Sequence, residues 1–432
     1  MSRHSVPRVF LELPDYDLGL RVKSTRADKL GPGGRASMCT ILFGLSVVDE
    51  VVDTPLSNAA NGYPDATAVP DESTRRELFW RPRSEAVIAD LVDGAGEPIQ
   101  ESPRSLCQRL VGEYAALDLV PTFGFEYEFY LHHAEPGEQP HRPVGRTIGA
   151  YSHARLAAVD SLAEEFMGRM ESVGAPIEAF HSELGPGFLE FAMSPAPALA
   201  AADGAARARA YMRELCEERG LHATFMAKVH AGHSGSGGHV HSSLARAGAN
   251  VFGAEDGRLS PTGSAYLGGL LSTMGDFSVL FNPFINSYKR ISPDMFVAAR
   301  ASWGFDNRNA ACRVITNMGS SSARVEHRRP GADASPYLVA AGILAGGLHG
   351  LRNGADPGPG LQPGAEVGGD PLPADLHAAV DRFEASDLTS DLLGDRFVAS
   401  FAATRRGELD AYDAWWRNTV TDWERDRYLE NL

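Results

Sequence analysis

Short stretches of apolar residues, or of alternating apolar and polar residues, recur in the amino-terminal half of the chain and predict β-strands. Alternation is typical of a strand because successive side chains point to opposite faces of the sheet. We therefore expect strands at residues 9–13, 40–47, 123–131, 190–193 and 239–244.

Longer segments predict helices between and after these strands. Helices are expected at 105–116 and at 200–219, where Gly220 fits a carboxyl-terminal cap. Residues 337–348 are nearly all apolar but too few to cross a bilayer, so they predict a buried helix. Gly and Pro dominate 353–373, which we expect to be a surface loop followed by two or three closing helices. Because strands and helices do not alternate regularly, the pattern favours an α+β fold with an antiparallel sheet.

The turn-rich segment 97–104 predicts a domain boundary. We place a small sheet-containing domain at 1–103 and a larger domain at 104–432.

Composition and charge narrow the possible functions. The chain has 432 residues, of which 43% are hydrophobic, and a formal net charge of −16. Such an acidic protein gains no long-range attraction to phosphate backbones or anionic membranes, so we expect neither nucleic acid nor a membrane as a partner. Four widely separated cysteines favour free thiols, and the first residues lack the apolar segment of a signal peptide. These features favour a cytoplasmic protein.

Two acidic residues interrupt the otherwise apolar segment FGFEYEFYL. Glu126 and Glu128 are two positions apart, so a strand places both carboxylates on one face. Carboxylates on a face near the core repel each other unless a cation lies between them. A solvent-facing edge strand explains the pair equally well, and the pair alone does not decide between these interpretations.

Two further segments contain possible ligands. Glu183 and Glu190 flank a Gly/Pro turn in HSELGPGFLEF, and His239 and His241 lie two apart in SGSGGHVHSSL. Imidazole binds metals or contacts phosphate, and the glycines allow backbone N–H groups to approach a ligand closely. Taken singly, each pattern is more often an ordinary structural or surface feature.

Basic residues are concentrated near the middle of the second domain. They are Lys289, Arg290, Arg308, Arg313, Arg324, Arg328 and Arg329. Guanidinium groups bind carboxylate and phosphate through paired hydrogen bonds, so the cluster suits ATP and an acid substrate, with structural ion pairs as the alternative. A strand here would place Glu326 on one face with Arg324 and Arg328. An oxygen-rich set with one imidazole favours Mg²⁺ or Mn²⁺ over zinc.

In order along the chain, the motifs resemble those of the glutamine synthetase superfamily. The matching segments are GFEYEFYL, HSELGPGFLEF, GLHATFMAKV with SGSGGHVHSSL, NPFINSYKR, WGFDNRNAACR, and ARVEHRRP with SPYLVAAGILAGGL. GYPDATAVPDESTRR extends the resemblance over nearly the whole chain. The resemblance implies a small β-grasp-like amino-terminal domain, followed by a catalytic domain built on a curved antiparallel sheet.

The resemblance also implies a reaction. ATP phosphorylates the γ-carboxylate of L-glutamate, and an amine then displaces phosphate from the γ-glutamyl phosphate. Two or more Mg²⁺ or Mn²⁺ ions are implied in each site. The residues that match metal ligands are Glu128, Glu183 and Glu190 for the ion next to glutamate, and Glu126, His239 and Glu326 for the ion at the ATP phosphates.

Other matches concern the substrates. Gly235, Arg290, Arg328 and Phe296 match positions that contact glutamate or the amine. The catalytic positions are matched by Arg290, Arg308 and Asp65, and the ATP-binding positions by His241, Ser243, Arg313 and Arg324. The ordered occurrence of all these residues is what makes the resemblance specific.

Two departures from true glutamine synthetases concern the amine acceptor, and a third, at Phe188, leaves open whether the acid substrate is strictly glutamate. The acidic DGSS segment that helps bind ammonium corresponds to ASMCTILFGLSV, which has no acid. Phe296 replaces the flap glutamate six residues after Arg290, and Phe188 replaces the usual glutamine of the GPG turn. Because ammonium needs acidic acceptors to be desolvated and deprotonated, we expect an organic monoamine instead. Asp65 matches an acidic residue that lies near the amine in the family, so a cationic amine remains an alternative acceptor.

Other interpretations remain beside this glutamate–amine ligase. One is a divergent glutamine synthetase that uses ammonia, and another is a non-catalytic regulatory or structural member, which the complete metal set disfavours. The related guanidine kinases share the catalytic fold but not the flanking motifs. By resemblance, we also expect a dodecamer of two stacked hexamers in which neighbouring subunits share each active site.

Overall fold

Two β-sheets organise the part of the chain that the structure, a computed structural model, describes. That part comprises residues 6–31, 33–134, 142–145, 149–292 and 296–432. The smaller sheet lies in the amino-terminal region, and the larger one carries most of the predicted chemistry.

The amino-terminal sheet has six strands in the order β2-β1-β6-β4-β3, with β5 beside β6. Its strands are β1 (Arg8–Pro14), β2 (Leu20–Arg26), β3 (Ala36–Cys39), β4 (Asp65–Pro70), β5 (Arg76–Glu77) and β6 (Ser84–Val92). Within it, β1 and β6 run parallel, and the other pairs are antiparallel.

The larger sheet has ten strands, with the central order β14-β15-β16-β12-β7-β9-β8. Its strands are β7 (Val120–His133), β8 (Ile177–Ser182), β9 (Phe188–Met193), β10 (Ala196–Pro197), β11 (Leu221–Thr224), β12 (Val240–Arg246), β13 (Ala249–Asn250), β14 (Trp303–Phe305), β15 (Cys312–Ile315) and β16 (Arg324–His327). All pairs between described strands here are antiparallel except β14–β15.

Helices cover these sheets. They are α1 (Pro103–Ala115), α2 (His153–Ala157), α3 (Asp160–Ser172), α4 (Ala198–Glu218), α5 (Pro261–Thr273), α6 (Ser278–Phe281), α7 (Ile285–Lys289), α8 (Pro336–Asn353), α9 (Leu376–Ala385), α10 (Asp387–Leu393), α11 (Asp395–Asn418) and α12 (Asp422–Tyr428). The apolar helix α8 is buried and packs against α1, α4 and α5. No helix in the described part of the chain is long and apolar enough to span a membrane.

A buried arginine connects the amino-terminal sheet to the rest of the fold. Arg104, in the first turn of α1, forms ion pairs of 2.8 Å with Asp71, Asp90 and Asp203. A fully buried guanidinium needs several acceptors to offset its lost hydration, and this one draws them from both sides of residue 103. The predicted boundary between 1–103 and 104–432 stays a prediction.

The predicted α+β class is confirmed, as are the small amino-terminal sheet and the larger, mostly antiparallel one. Strands form where 9–13, 123–131, 190–193 and 239–244 were expected, and α1 and α4 match the two predicted helices. Gly220 follows α4 with a φ of +65°, as its predicted capping position requires. The four cysteines are free, and the loop after α8 lies where 353–373 was expected.

Two local predictions are wrong. Residues 40–47 do not form a strand, because Thr40–Gly44 is a 3₁₀ helix in which the neighbouring Leu42 and Phe43 are both buried, without the alternation of a strand. A Cβ on Gly44 would lie 2.3 Å from the Val52 carbonyl oxygen, so this position accepts only glycine without a shift of the backbone. Four helices, α9 to α12, close the chain instead of two or three, because the helical segment is interrupted at Ser386, at Gly394 and at residues 419–421.

Candidate active site

A cleft of about 500 Å³ is lined by residues of β7, β8, β9, β15 and β16 and by the loops next to them. It brings together most of the predicted site residues. They are Glu126, Glu128, Glu183, Glu190, Gly235, His239, Arg290, Phe296, Arg308, Arg313, Glu326 and Arg328.

The alternation on β7 places its two glutamates in the cleft. Phe125, Tyr127 and Phe129 are buried on the opposite face, and Glu128 is paired across the sheet with Glu190 of β9. β7 lies between β12 and β9, so the edge-strand interpretation of Glu126 and Glu128 is wrong. Both carboxylates instead face a partly enclosed site.

One group of possible metal ligands forms where β7, β12 and β16 meet. Donor atoms of Glu126, His241 and Glu326 all lie within 4.8 Å of one another. The Nε2 atom of His241 lies 2.9 Å from Oε1 of Glu126. His239 completes the surroundings, with its Nδ1 atom 3.7 Å from Glu126 Oε2 and 3.6 Å from Glu326 Oε1. The predicted ligands Glu126, His239 and Glu326 therefore lie together. His241, which was predicted to contact the nucleotide, also belongs to this group.

The carboxylates of this first group are held in their charged form. Burial by itself would raise the pKa of Glu126, but hydrogen bonds and charge interactions with His239 and His241 outweigh it and hold the pKa well below the usual value. Burial likewise opposes ionisation of Glu326, whose pKa is lowered by the nearby Arg328, His239 and His241. Ionised carboxylates are the form that binds a divalent cation.

A second group lies across β8 and β9. Its members His181, Glu183 and Glu190 also have donor atoms within 4.8 Å of one another. His181 Nδ1 is 3.5 Å from Glu183 Oε1, and His181 Nε2 is 3.5 Å from Glu190 Oε1. Glu128 projects beside them and accepts a hydrogen bond of 2.6 Å from the Gly237 N–H group. The three predicted ligands Glu128, Glu183 and Glu190 thus lie in one place.

In the second group, unlike the first, the surroundings raise the pKa values of the carboxylates. Burial raises the pKa of Glu190, and the neighbouring charges of Glu128 and Glu126 raise it further. Burial and Glu128 also raise the pKa of Glu183. Burial lowers the pKa of His181, which favours the neutral imidazole that binds metals. Neighbouring carboxylates that repel one another beside such an imidazole fit a divalent cation, which would relieve their repulsion.

The arginines predicted to bind glutamate, Arg290 and Arg328, line the same cleft as the two ligand groups. Arg290 is buried and donates from Nη1 to the carbonyl oxygen of Arg329 at 3.0 Å. The Nε atoms of Arg290 and Arg328 are buried and have no hydrogen-bond partner within the described residues. Gly235 lies so close that a Cβ there would be 2.7 Å from Arg290 Cγ. Buried donors without acceptors fit an acid substrate.

Two other arginines of the cleft differ in their partners. Arg313 contacts Glu326 at 3.0 Å and Asp306 at 2.5 Å, and Arg328 also contacts Glu326. Arg308 is exposed and forms no ion pair with a carboxylate of any described residue. Its charge is therefore available to a ligand.

Three predicted nucleotide contacts lie beside the cleft, and one predicted catalytic residue lies away from it. Arg324 donates from Nε to Nδ1 of His241 at 3.2 Å, and Ser243 follows on the same face of β12. Asp65 is at the start of β4, where its carboxylate accepts a hydrogen bond from Ser37. It does not line the cleft of its own chain among the described residues.

Sequence reasoning missed several cleft residues, among them three with large side chains. His181 belongs to the second ligand group, and Tyr151 and Leu184 line the cleft opening. The signal for His181 was available, since it lies two residues before Glu183 and alternation places both on one side of the chain. No local pattern marks Tyr151 or Leu184, which reach the cleft from loops.

Comparisons with known proteins agree with this geometry. The family model described as glutamine synthetase, catalytic domain, matches residues 100–428. A glutamate–isopropylamine ligase of a Pseudomonas species is 34% identical over 100% of this chain and 96% of that protein. A gamma-glutamylethanolamide synthetase of Streptomyces coelicolor is 32% identical over 91% of this chain and 86% of that protein. A solved structure of GmaS in complex with ADP aligns with a TM-score of 0.83 and 28% identity, covering 98% of this chain and 97% of that one.

Proposed function

The chain belongs to the glutamine synthetase family, and from that premise we propose that it joins L-glutamate to an organic amine at the expense of ATP. The observation that carries the proposal is a single cleft that contains two oxygen-rich ligand groups and buried arginines. The same cleft has Phe296 at the position where glutamine synthetases have the flap glutamate that helps to bind ammonium. Two of the relatives bear names that specify an organic amine, isopropylamine and ethanolamine, which supports this acceptor class.

We propose that Mg²⁺ or Mn²⁺ occupies both ligand groups. Glu128, Glu183 and Glu190 would hold one ion, and Glu126, His239 and Glu326 the other. When bound, these ions supply positive charge that neutralises the phosphates and the γ-carboxylate.

The remaining residues bind and orient the substrates in this proposal. Arg290 and Arg328, next to Gly235, bind L-glutamate so that a γ-carboxylate oxygen attacks the γ-phosphorus of ATP and ADP leaves. Arg308 stabilises the charge that develops on the transferred phosphoryl group. His241, Ser243, Arg313 and Arg324 contact the nucleotide from β12, β15 and β16.

The amine then attacks the carbonyl carbon of γ-glutamyl phosphate, phosphate leaves, and the nitrogen loses a proton. Asp65 is our proposed acceptor for that proton, although it lies away from the cleft of its own chain. Its role therefore requires a neighbouring subunit. We accordingly propose the dodecamer of two stacked hexamers, in a cytoplasmic protein, on the strength of the family relationship.

The proposed acyl phosphate has an isotopic test. L-Glutamate labelled with ¹⁸O in its γ-carboxylate should transfer one ¹⁸O atom to inorganic phosphate in every turnover with an amine, as mass spectrometry would show. Phosphate without label would exclude the acyl phosphate. If neither phosphate nor ADP forms with any amine in the presence of Mn²⁺, the non-catalytic interpretation is correct.

The second ligand group predicts a pH dependence. Because burial and neighbouring carboxylates raise the pKa of Glu190, the folded, metal-free protein retains a proton that the unfolded chain releases above about pH 4.3. The unfolded state then binds fewer protons, so the free energy of unfolding falls as the pH rises through this window. Melting temperatures from about pH 5 to about pH 8 should show a steeper fall for the wild type than for Glu190→Gln, and Mn²⁺ should offset it in the wild type alone.

The exposed Glu255→Gln is the matched control and should keep the wild-type slope. Equal slopes in the wild type and Glu190→Gln would show that Glu190 does not carry the effect.

The aromatic residue at position 296 leads us to predict which amine the protein uses as acceptor. Phe296 is 51% exposed at the cleft, so a carboxylate placed there fits without disturbing the core. Phe296→Glu should raise the ratio of kcat/KM for ammonium to that for n-butylamine at least about tenfold, since the acid helps to desolvate and bind ammonium. Phe296→Leu should leave the ratio low, and an unchanged ratio in Phe296→Glu would contradict our interpretation of this position.

A further inference from the structure

A buried carboxylate outside the cleft is hydrogen-bonded to the short helix that leads to Arg290. Asp333 lies between β16 and α8 and is 8% exposed. Its Oδ2 atom accepts a hydrogen bond of 2.6 Å from the hydroxyl group of Ser287, a fully buried residue of α7. Among the described residues, neither of these side chains lines the cleft that holds the ligand groups. Burying a carboxylate costs hydration free energy, which its hydrogen bonds must offset.

Ser287 connects both ends of α7 to Asp333. While its hydroxyl group donates to Asp333, it also accepts a hydrogen bond of 3.1 Å from the N–H group of Phe284, just before the helix. The carbonyl oxygen of Ser287 accepts a hydrogen bond of 3.3 Å from the N–H group of Arg290, just after the helix. Because α7 has only five residues, it has few hydrogen bonds of its own, and contacts from outside determine where it lies.

The segment 328–334 holds the guanidinium group of Arg290. Arg290 donates from Nη1 to the carbonyl oxygen of Arg329 at 3.0 Å and from Nη2 to that of Arg328 at 3.4 Å. Asp333 belongs to the same segment. Arg290 is therefore held at its backbone by α7 and at its guanidinium group by this segment, and the hydrogen bond from α7 to Asp333 connects the two supports.

Arg209 holds the other end of the segment 328–334. It donates from Nη1 to the carbonyl oxygen of Ala334 at 2.6 Å and from Nη2 to that of Asp333 at 3.4 Å. Burial raises the pKa of Asp333, and its hydrogen bond from α7 and the charges of Arg209 and Arg290 oppose that rise. Asp333 thus lies within reach of two guanidinium charges, which gives it a fixed position from which to hold α7.

We propose that Asp333 is a positioning residue that acts through Ser287 to hold Arg290 where it binds L-glutamate. This inference rests on the proposed ligase function and adds to its glutamate site a residue that contacts no substrate. An arginine side chain has many rotamers, and ordering it during binding costs free energy. A guanidinium group that is already ordered binds a carboxylate without that cost. Loss of the hydrogen bond should therefore weaken the binding of glutamate rather than that of ATP or the amine.

The Ser287→Ala variant tests this inference by removing one hydroxyl group. Alanine has a high helix propensity, so we expect the variant to fold. In the Mn²⁺-loaded enzyme with n-butylamine as acceptor, the KM for glutamate should rise at least about tenfold, while the KM values for ATP and n-butylamine change less than about twofold. Isothermal titration calorimetry with L-glutamate should show a matching rise in Kd, which a general loss of stability would not produce.

A double-mutant cycle separates the hydrogen bond from other effects of Asp333. Asp333→Ala should raise the KM for glutamate by about the same factor as Ser287→Ala. The double variant should show no larger rise than the stronger single variant, because both substitutions remove the same hydrogen bond. Asp333→Asn should stay within about threefold of the wild type, since its amide oxygen can still accept a hydrogen bond from the hydroxyl group.

Ser386→Ala is the matched control, because the Ser386 hydroxyl group also donates to a carboxylate, that of Asp276 at 3.0 Å, outside the cleft. It should keep the wild-type KM for glutamate. An unchanged KM for glutamate in Ser287→Ala would overturn the inference, and so would equal rises in the KM values of all three substrates. Independent effects that multiply in the double variant would also contradict it. Failure of the proposed ligase function would differ from all of these, since no amine would support ATP turnover even in the wild type.

Discussion

Replacing Glu128 by alanine is expected to lower kcat at least about 1,000-fold while leaving the chain folded. Glu128 adjoins the second ligand group, where it is paired across the sheet with Glu190 and accepts a hydrogen bond from the Gly237 N–H group. Without its charge, the proposed ion next to glutamate loses a ligand. Folding is spared because removal of one of several adjacent carboxylates lowers the repulsion within the group.

Glu128→Gln separates charge from hydrogen bonding. The amide oxygen of glutamine can still accept the hydrogen bond from Gly237, but it supplies no negative charge to a cation. We expect this variant to be as inactive as Glu128→Ala and to bind Mn²⁺ more weakly by isothermal titration calorimetry. Near wild-type kcat in Glu128→Gln would mean that Glu128 acts through the Gly237 loop rather than through a metal.

Replacing Arg308 by alanine is expected to lower kcat about 1,000-fold with a smaller change in the KM for glutamate. The reason lies in the partners of the three arginines at this end of the cleft. Arg313 and Arg328 are paired with Glu326, whereas Arg308 faces the cleft without a described carboxylate partner. A cation with no ground-state partner is placed to stabilise charge that develops only during phosphoryl transfer.

Pre-steady-state quenched-flow measurement of ADP formation tests this assignment, because it isolates the phosphoryl-transfer step. Arg308→Lys should recover part of the rate, since it keeps the charge but not the planar fork. Arg300→Ala is the matched control, because Arg300 is exposed and donates to the carbonyl oxygen of Gly369. If Arg308→Ala slowed only product release and left the ADP burst unchanged, Arg308 would not act on phosphoryl transfer.

The sequence predicted best those features that depend on local periodicity. The period of two in the segment around Glu126 and Glu128 decided which face of β7 is acidic, and the sheet order confirmed that this face lies inside a cleft. The edge-strand alternative could not be removed from sequence, because a strand's position within a sheet depends on pairings between distant segments.

Residues delivered by loops were harder to predict. Tyr151 reaches the cleft through bonds to Ser182 and through Arg155, and neither contact leaves a periodic pattern in the sequence. The 3₁₀ helix at Thr40–Gly44 was missed for a related reason, since Leu42 and Phe43 are both buried and Phe43 packs against the distant Tyr16, a tertiary contact that local β-propensity does not reveal. The position of Asp65 relative to the cleft was also hard to predict, because its proposed role depends on contact with a second subunit.

The most direct test of the proposed function is a comparison of kcat/KM for ammonium with that for n-butylamine and isopropylamine, at saturating ATP, glutamate and Mn²⁺, with the products identified by mass spectrometry. We predict that at least one organic amine exceeds ammonium by about tenfold or more and that the product is the corresponding γ-glutamyl alkylamide. Equal or better turnover with ammonium, with glutamine as the main product, would contradict the account.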